Sequence, residues 1–108
     1  MLKISVMDSR TERRLVLEGK LIAPWVAEFR TVGEVAKKEL NGRELVIDLA
    51  NVTFVSQAGE NALLELMDEG ARFSCRGVFT KYLLQQLTRR RKKTVSELRD
   101  EESKSNGG

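Results

Sequence analysis

Apolar residues alternate with polar ones from the second position of the chain. Leu2, Ile4 and Val6 fall on one side of "LKISVM", the period of a half-buried strand. The polar cluster "DSRTE" predicts a turn, and "RRLVLEGKLI" over 13–22 alternates again through Leu15 and Leu17, so the first two strands form a hairpin. Gly19 interrupts the second strand and marks a bulge or a close backbone approach. From Pro24 the period changes. Trp25, Phe29, Val32, Ala36 and Leu40 recur every three or four residues, predicting a helix of about four turns. Proline suits its first turn, and Asn41-Gly42 supplies the stop. The Trp and Phe of this stripe read as core residues rather than as a cofactor box.

"ELVIDLA", residues 44–50, is almost continuously apolar, as expected of a strand buried on both faces. Only Asp48 breaks the run. A carboxylate near the end of such a strand is either satisfied by backbone donors of the next turn or stands beside a functional loop. "NVTFV" reads as a loop, and after it Ala62, Leu63, Leu66, Met67 and Ala71 form the inward face of a second helix, with Gly70 near its end. A short strand, "ARFSCRG", and a third amphipathic helix, "VFTKYLLQQLTRR", follow, the helix using Phe79, Leu83 and Leu87 with Tyr82 beside them. The order β-β-α-β-α-β-α predicts an α/β fold, a small mixed sheet with helices packed on one face.

Composition narrows the chemistry. With 108 residues the chain builds one core, assigned to residues 1–90, and residues 91–108 form an extension, basic then polar and partly disordered. The sequence has no histidine, which removes Ser-His-Asp and Cys-His nucleophiles and histidine-ligated metals. No Gly-rich phosphate loop or paired-carboxylate site stands out. The reading is therefore not an enzyme, with no cofactor and no metal. The single cysteine, Cys75, shares a face with Phe73 in an alternating segment and reads as a buried, inert thiol. No apolar run reaches the roughly 18 residues of a membrane span, and no signal peptide is recognisable, so the expected location is cytoplasmic.

The formal charge of +3 is concentrated at one end. Residues 89–108 carry seven basic and four acidic side chains, which leaves the rest of the chain balanced. "RRRKK" could neutralise several phosphates of nucleic acid or an anionic surface, and a ligand- or surface-binding accessory protein is the alternative reading. No aromatic residue interleaves the run to stack on bases, and acidic residues follow it, which weighs against nucleic acid.

Between the third strand and the second helix lies Ser56-Gln57-Ala58-Gly59. Ser56 suits the helix N-cap, although Gly59 stands where a capping box would need glutamate, and Glu60 comes one residue late. The layout, with "LVIDLANVTFVSQAGENALLEL", resembles the STAS domain of sulphate transporters and anti-sigma factor antagonists. In that family a buried strand ending in Asp-Leu leads through a short loop and an apolar pair into Asp-Ser-Ser-Gly or Asp-Ser-Thr-Gly and a Leu-rich helix. Here Asp48-Leu49 match the strand end, Phe54-Val55 the apolar pair and Gly59 the glycine. The match covers about residues 2–90 and is most specific over 45–67, with modest support from "LEGKL".

The departures are as informative. Ser56 stands in place of the family's Asp, Gln57 in place of the first Ser, and Ala58 in place of the phosphoaccepting Ser or Thr. Many members also continue through a further strand and helix, whereas here "RRRKK" arrives within one helix. The resemblance implies a bacterial regulatory protein that binds a protein partner, such as a serine-kinase-type anti-sigma factor, but lacks the serine switch. By that resemblance the partner-binding residues are Asn51, Thr53, Ser56, Gln57, Ala58, Gly59, Glu60, Asn61 and Glu65. Ser56 is the only hydroxyl in the hinge and would be a displaced phosphorylation site, although a cap explains it more simply. A homodimer is a further expectation, either through the first strand at an open edge or through docking of the tail helix on a neighbour.

Overall fold

A computed structural model describes residues 1–77 and 80–90. Strands β1 (Leu2–Asp8), β2 (Glu12–Leu21), β3 (Glu44–Val55) and β4 (Arg72–Ser74) form one sheet in that order. Helix α1 (Trp25–Lys37) connects β2 to β3 and α2 (Gln57–Asp68) connects β3 to β4; residues 80–90 are helical and are called α3. The pair β1–β2 is antiparallel, while β2–β3 and β3–β4 are parallel, so the sheet is mixed. The Phe79 expected in the third stripe, and the extension over 91–108, lie outside the described residues.

The hairpin closes where the polar cluster predicts. Ser9 Oγ accepts from the N–H groups of Thr11 and Glu12, and Ser9 N–H donates to the Glu12 carbonyl. Side chains on one face of the sheet build the core: Leu15, Leu17 and Leu21 of β2 and Leu45, Ile47, Leu49 and Val52 of β3. They pack against Val26, Phe29 and Ala36 of α1, Ala62, Leu63 and Leu66 of α2, and Leu83 and Leu87 of α3. Burial of this apolar surface is the main term favouring the fold.

The opposite face carries paired charge. Lys3 meets Glu18, Arg14 bridges Glu12 and Asp48, and Arg72 meets Glu44. Val46, on the same face, is nevertheless only 6% exposed, since its register neighbours are the long side chains Arg14 and Arg72.

Two expected boundaries move. α1 stops at Lys37, a turn short of Asn41-Gly42, because β2 supplies a cap that the local sequence does not reveal. The Arg13 guanidinium donates to the Ala36 and Lys38 carbonyls, among the last acceptors of the helix. Arg43 then donates to the Glu39 and Leu40 carbonyls, and both arginines hold Asp8. Second, β3 is 12 residues long and includes 51–55, which the sequence assigned to a loop. Its inward residues step 45, 47, 49, 52, 55, because one extra residue of β3 is accommodated at each of two register shifts against β2.

α2 ends in a Schellman arrangement. Gly70 N–H donates to the Met67 carbonyl and Ala71 N–H to that of Leu66, with Gly70 at φ 98°.

Candidate docking site

The hinge sits at the end of the sheet, where β3 turns into α2. Ser56 has extended backbone at φ −77° and ψ 171° and is the N-cap; its Oγ accepts from Gly59 N–H at 3.2 Å. The same hydroxyl donates to the Leu21 carbonyl at 3.3 Å, and Ser56 N–H donates to that carbonyl as well. Both capacities of the hydroxyl are therefore committed, one to the helix and one to β2. Gly59 is needed by contact: a Cβ there would lie 2.6 Å from the Leu21 carbonyl oxygen and 2.9 Å from a Val55 methyl. Serine cap and glycine together press the helix start against the end of β2.

Gln57 and Ala58 face solvent, and Asn51 and Thr53 are exposed. The latter two are strand residues of the β3 bulges rather than loop residues; Thr53 Oγ1 donates to the Gly19 carbonyl. The other expected docking residues are already partnered. Glu60, expected to be exposed, has a side chain only 19% exposed and binds Arg90 of α3 at 2.8 Å. Arg90 also donates to the Asn61 side-chain oxygen at 2.9 Å. Glu65 pairs with Arg30 of α1. These contacts turn an expected solvated helix face into the seam along which α1, α2 and α3 are joined. Glu65 and Asn61 remain exposed, whereas Gly59 is buried.

Sequence reasoning missed Phe54. Strict alternation from Val52 turns it inward, yet the second bulge sends it outward, 52% exposed, two residues before the hinge. The signal available was the run of inward apolar residues at spacings of three, 49, 52 and 55, in place of two.

Asp48 lies in mid-strand rather than at a strand end. One carboxylate oxygen accepts from Ala50 N–H at 3.0 Å, within the first bulge where regular pairing with β2 lapses, and the other accepts from Arg14 at 2.9 Å. The structural alternative therefore describes it, with an arginine partner that the sequence did not reveal. Cys75 is half-buried against the core beside Phe73. Burial, and secondarily the charge of Asp48, push its thiol up, so it is a weaker nucleophile than a free cysteine at neutral pH.

No protein-family model matches this chain, and no curated protein sequence matches it significantly. Solved structures do. The anti-sigma factor antagonist SpoIIAA in its unphosphorylated form superposes with a TM-score of 0.59 at 17% identity, covering 77% of this chain and 82% of that one. An antisigma-factor antagonist STAS domain from Rhodobacter sphaeroides gives 0.50 at 23% identity, covering 70% and 86%. A Shewanella loihica protein described as having a SpoIIAA-like fold gives 0.52 at 15%, covering 75% and 72%. The chain has the SpoIIAA-like STAS fold. Within that STAS fold, the Ala58 position that the resemblance gives to the phosphoacceptor is exposed and carries no hydroxyl. No described helix is long and apolar enough to cross a membrane.

Proposed function

We propose that this chain is a protein-interaction module of the anti-sigma factor antagonist kind, acting in a bacterial cytoplasm without catalysis and without the phosphorylation switch. Its docking surface is the hinge end of the sheet: Asn51, Thr53, Phe54, Gln57 and Ala58, flanked by Asn61. Its partner is a protein, in the first instance a serine-kinase-type anti-sigma factor.

The observation that carries this reading is the state of the hinge. Ala58 presents a methyl group at the position that the resemblance gives to the phosphoacceptor, and the one hydroxyl of the hinge, Ser56 Oγ, bonds both to Gly59 N–H and to the Leu21 carbonyl. Phosphate on Ser56 would have to break the cap and displace the helix start from β2. A phosphate adds close to two negative charges, enough to abolish docking where it can form, and here the face stays in its unmodified state. The test is capture of partners from lysate of the source cell in the presence and absence of ATP, with intact-mass measurement of the bait. The proposal expects the same partners under both conditions and an unmodified bait. Stoichiometric phosphate on Ser56, with partner loss when ATP is present, contradicts it.

A further inference from the structure

The outer side of β1 is a second interaction surface, independent of the hinge. Lys20 N–H donates to the Met1 carbonyl and Ser9 N–H to the Glu12 carbonyl, so the hydrogen-bonded pairs between β1 and β2 fall on the odd-numbered residues of β1. The backbone N–H and C=O groups of Leu2, Ile4, Val6 and Asp8 consequently point away from β2, and no strand among the described residues pairs with them. The strand contains no proline and no bulge, and its one lysine, Lys3, is paired with Glu18 of β2 at 3.7 Å.

Beside this edge runs a groove of about 570 Å³ between β1 and α1, walled by Val6, Thr31, Val32, Val35 and Ala36 together with the charged residues Asp8, Arg13, Lys38 and Glu39. Val6, Met7 and Val35 are 51%, 60% and 62% exposed, three of the six large apolar side chains that stand mostly in solvent among the described residues. They lie on both faces of one edge.

We propose that a second copy of this chain pairs here, β1 against β1 in antiparallel fashion about a two-fold axis at Ser5. This register keeps all seven strand residues paired. It sets Ile4 opposite Val6 of the second copy, bonds the four outward residues of each strand, and lets Val6 and Val35 of both copies close the two grooves. The contact is about 24 Å long and one sheet plus one helix layer deep, on the order of 400–500 Å² per copy, the low end of specific interfaces. It should therefore form a weak dimer, concentration-dependent in the micromolar range or above.

The test is sedimentation of the full chain from about 5 µM to about 1 mM, with Val6→Lys and Val35→Glu, whose side chains are outside the core, and circular dichroism to verify folding. Wild type should move from monomer towards dimer, and each variant should shift that transition at least tenfold to higher concentration. Oxidative cross-linking reads the register. Opposite residues at the axis are not hydrogen-bonded to each other and have Cα atoms about 4.5 Å apart, within disulfide reach. Ser5→Cys should give a covalent dimer, and Lys3→Cys, offset by four residues from its own copy, should not. Wild type that remains monomeric throughout, a dimer indifferent to both charge variants, or failure of Ser5→Cys to cross-link overturns the proposal.

Discussion

Ser56 and Gly59 divide one task between a hydrogen-bonding side chain and the absence of a side chain. Ser56→Ala should lose the bond to Gly59 N–H and destabilise the protein by about 1 kcal/mol, the usual worth of a cap. Gly59→Ala should cost more, roughly 1–3 kcal/mol, because the added methyl meets the backbone carbonyl of Leu21 rather than a side chain able to move. Urea denaturation of the two variants checks both the magnitudes and their order. Asp8 gives a pH-dependent prediction. The hydrogen bond from Arg13, with charge from Arg13 and Arg43, holds its carboxyl below the ordinary aspartate value. A lowered folded pKa gives stability that is present above the unfolded value and lost as pH falls through the folded one. Asp8→Asn should therefore be less stable than wild type at neutral pH, and the difference should shrink below about pH 4; thermal melts across that range measure it.

Elements were legible in the sequence where side-chain period alone decides them, and less so where a distant residue intervenes. The alternation of Leu15 and Leu17 and the stripe of Phe29, Val32 and Ala36 report burial directly, and the structure keeps them. The end of α1 depends on Arg13, more than twenty residues upstream, so no local stop signal could place it. The length of β3 depends on two bulges that change an inward step from two residues to three, which made strand residues 51–55 resemble a loop and hid Phe54. Glu60 looked solvated because its partner, Arg90, is contributed by another helix. Arg90 joins α3 to α2 through Glu60 and Asn61 at the edge of the proposed docking face. Arg90→Ala should loosen α3 against α2 while leaving the sheet intact. Hydrogen exchange should then rise over residues 80–90 and stay unchanged in β2 and β3.

At the scale of the whole molecule, among the described residues the helices cover one face of the sheet and ion pairs cross the other, and the hinge end and the β1 edge are the two surfaces to which the proposals assign a role. The fold was readable from the order of elements and the hinge motif. The docking role depends on what the hinge now lacks. In the proposed reading, a methyl group at Ala58, with Ser56 committed to capping, leaves this face unmodified and open to a protein partner. The most direct test is affinity capture from source-cell lysate with wild type, Ala58→Asp and a control, Lys38→Glu, placed beyond the C-terminal end of α1, read by mass spectrometry. The account predicts a regulatory protein retained by wild type and by the control and lost by Ala58→Asp, whose carboxylate imitates the missing phosphate. Identical partners for all three baits would contradict it.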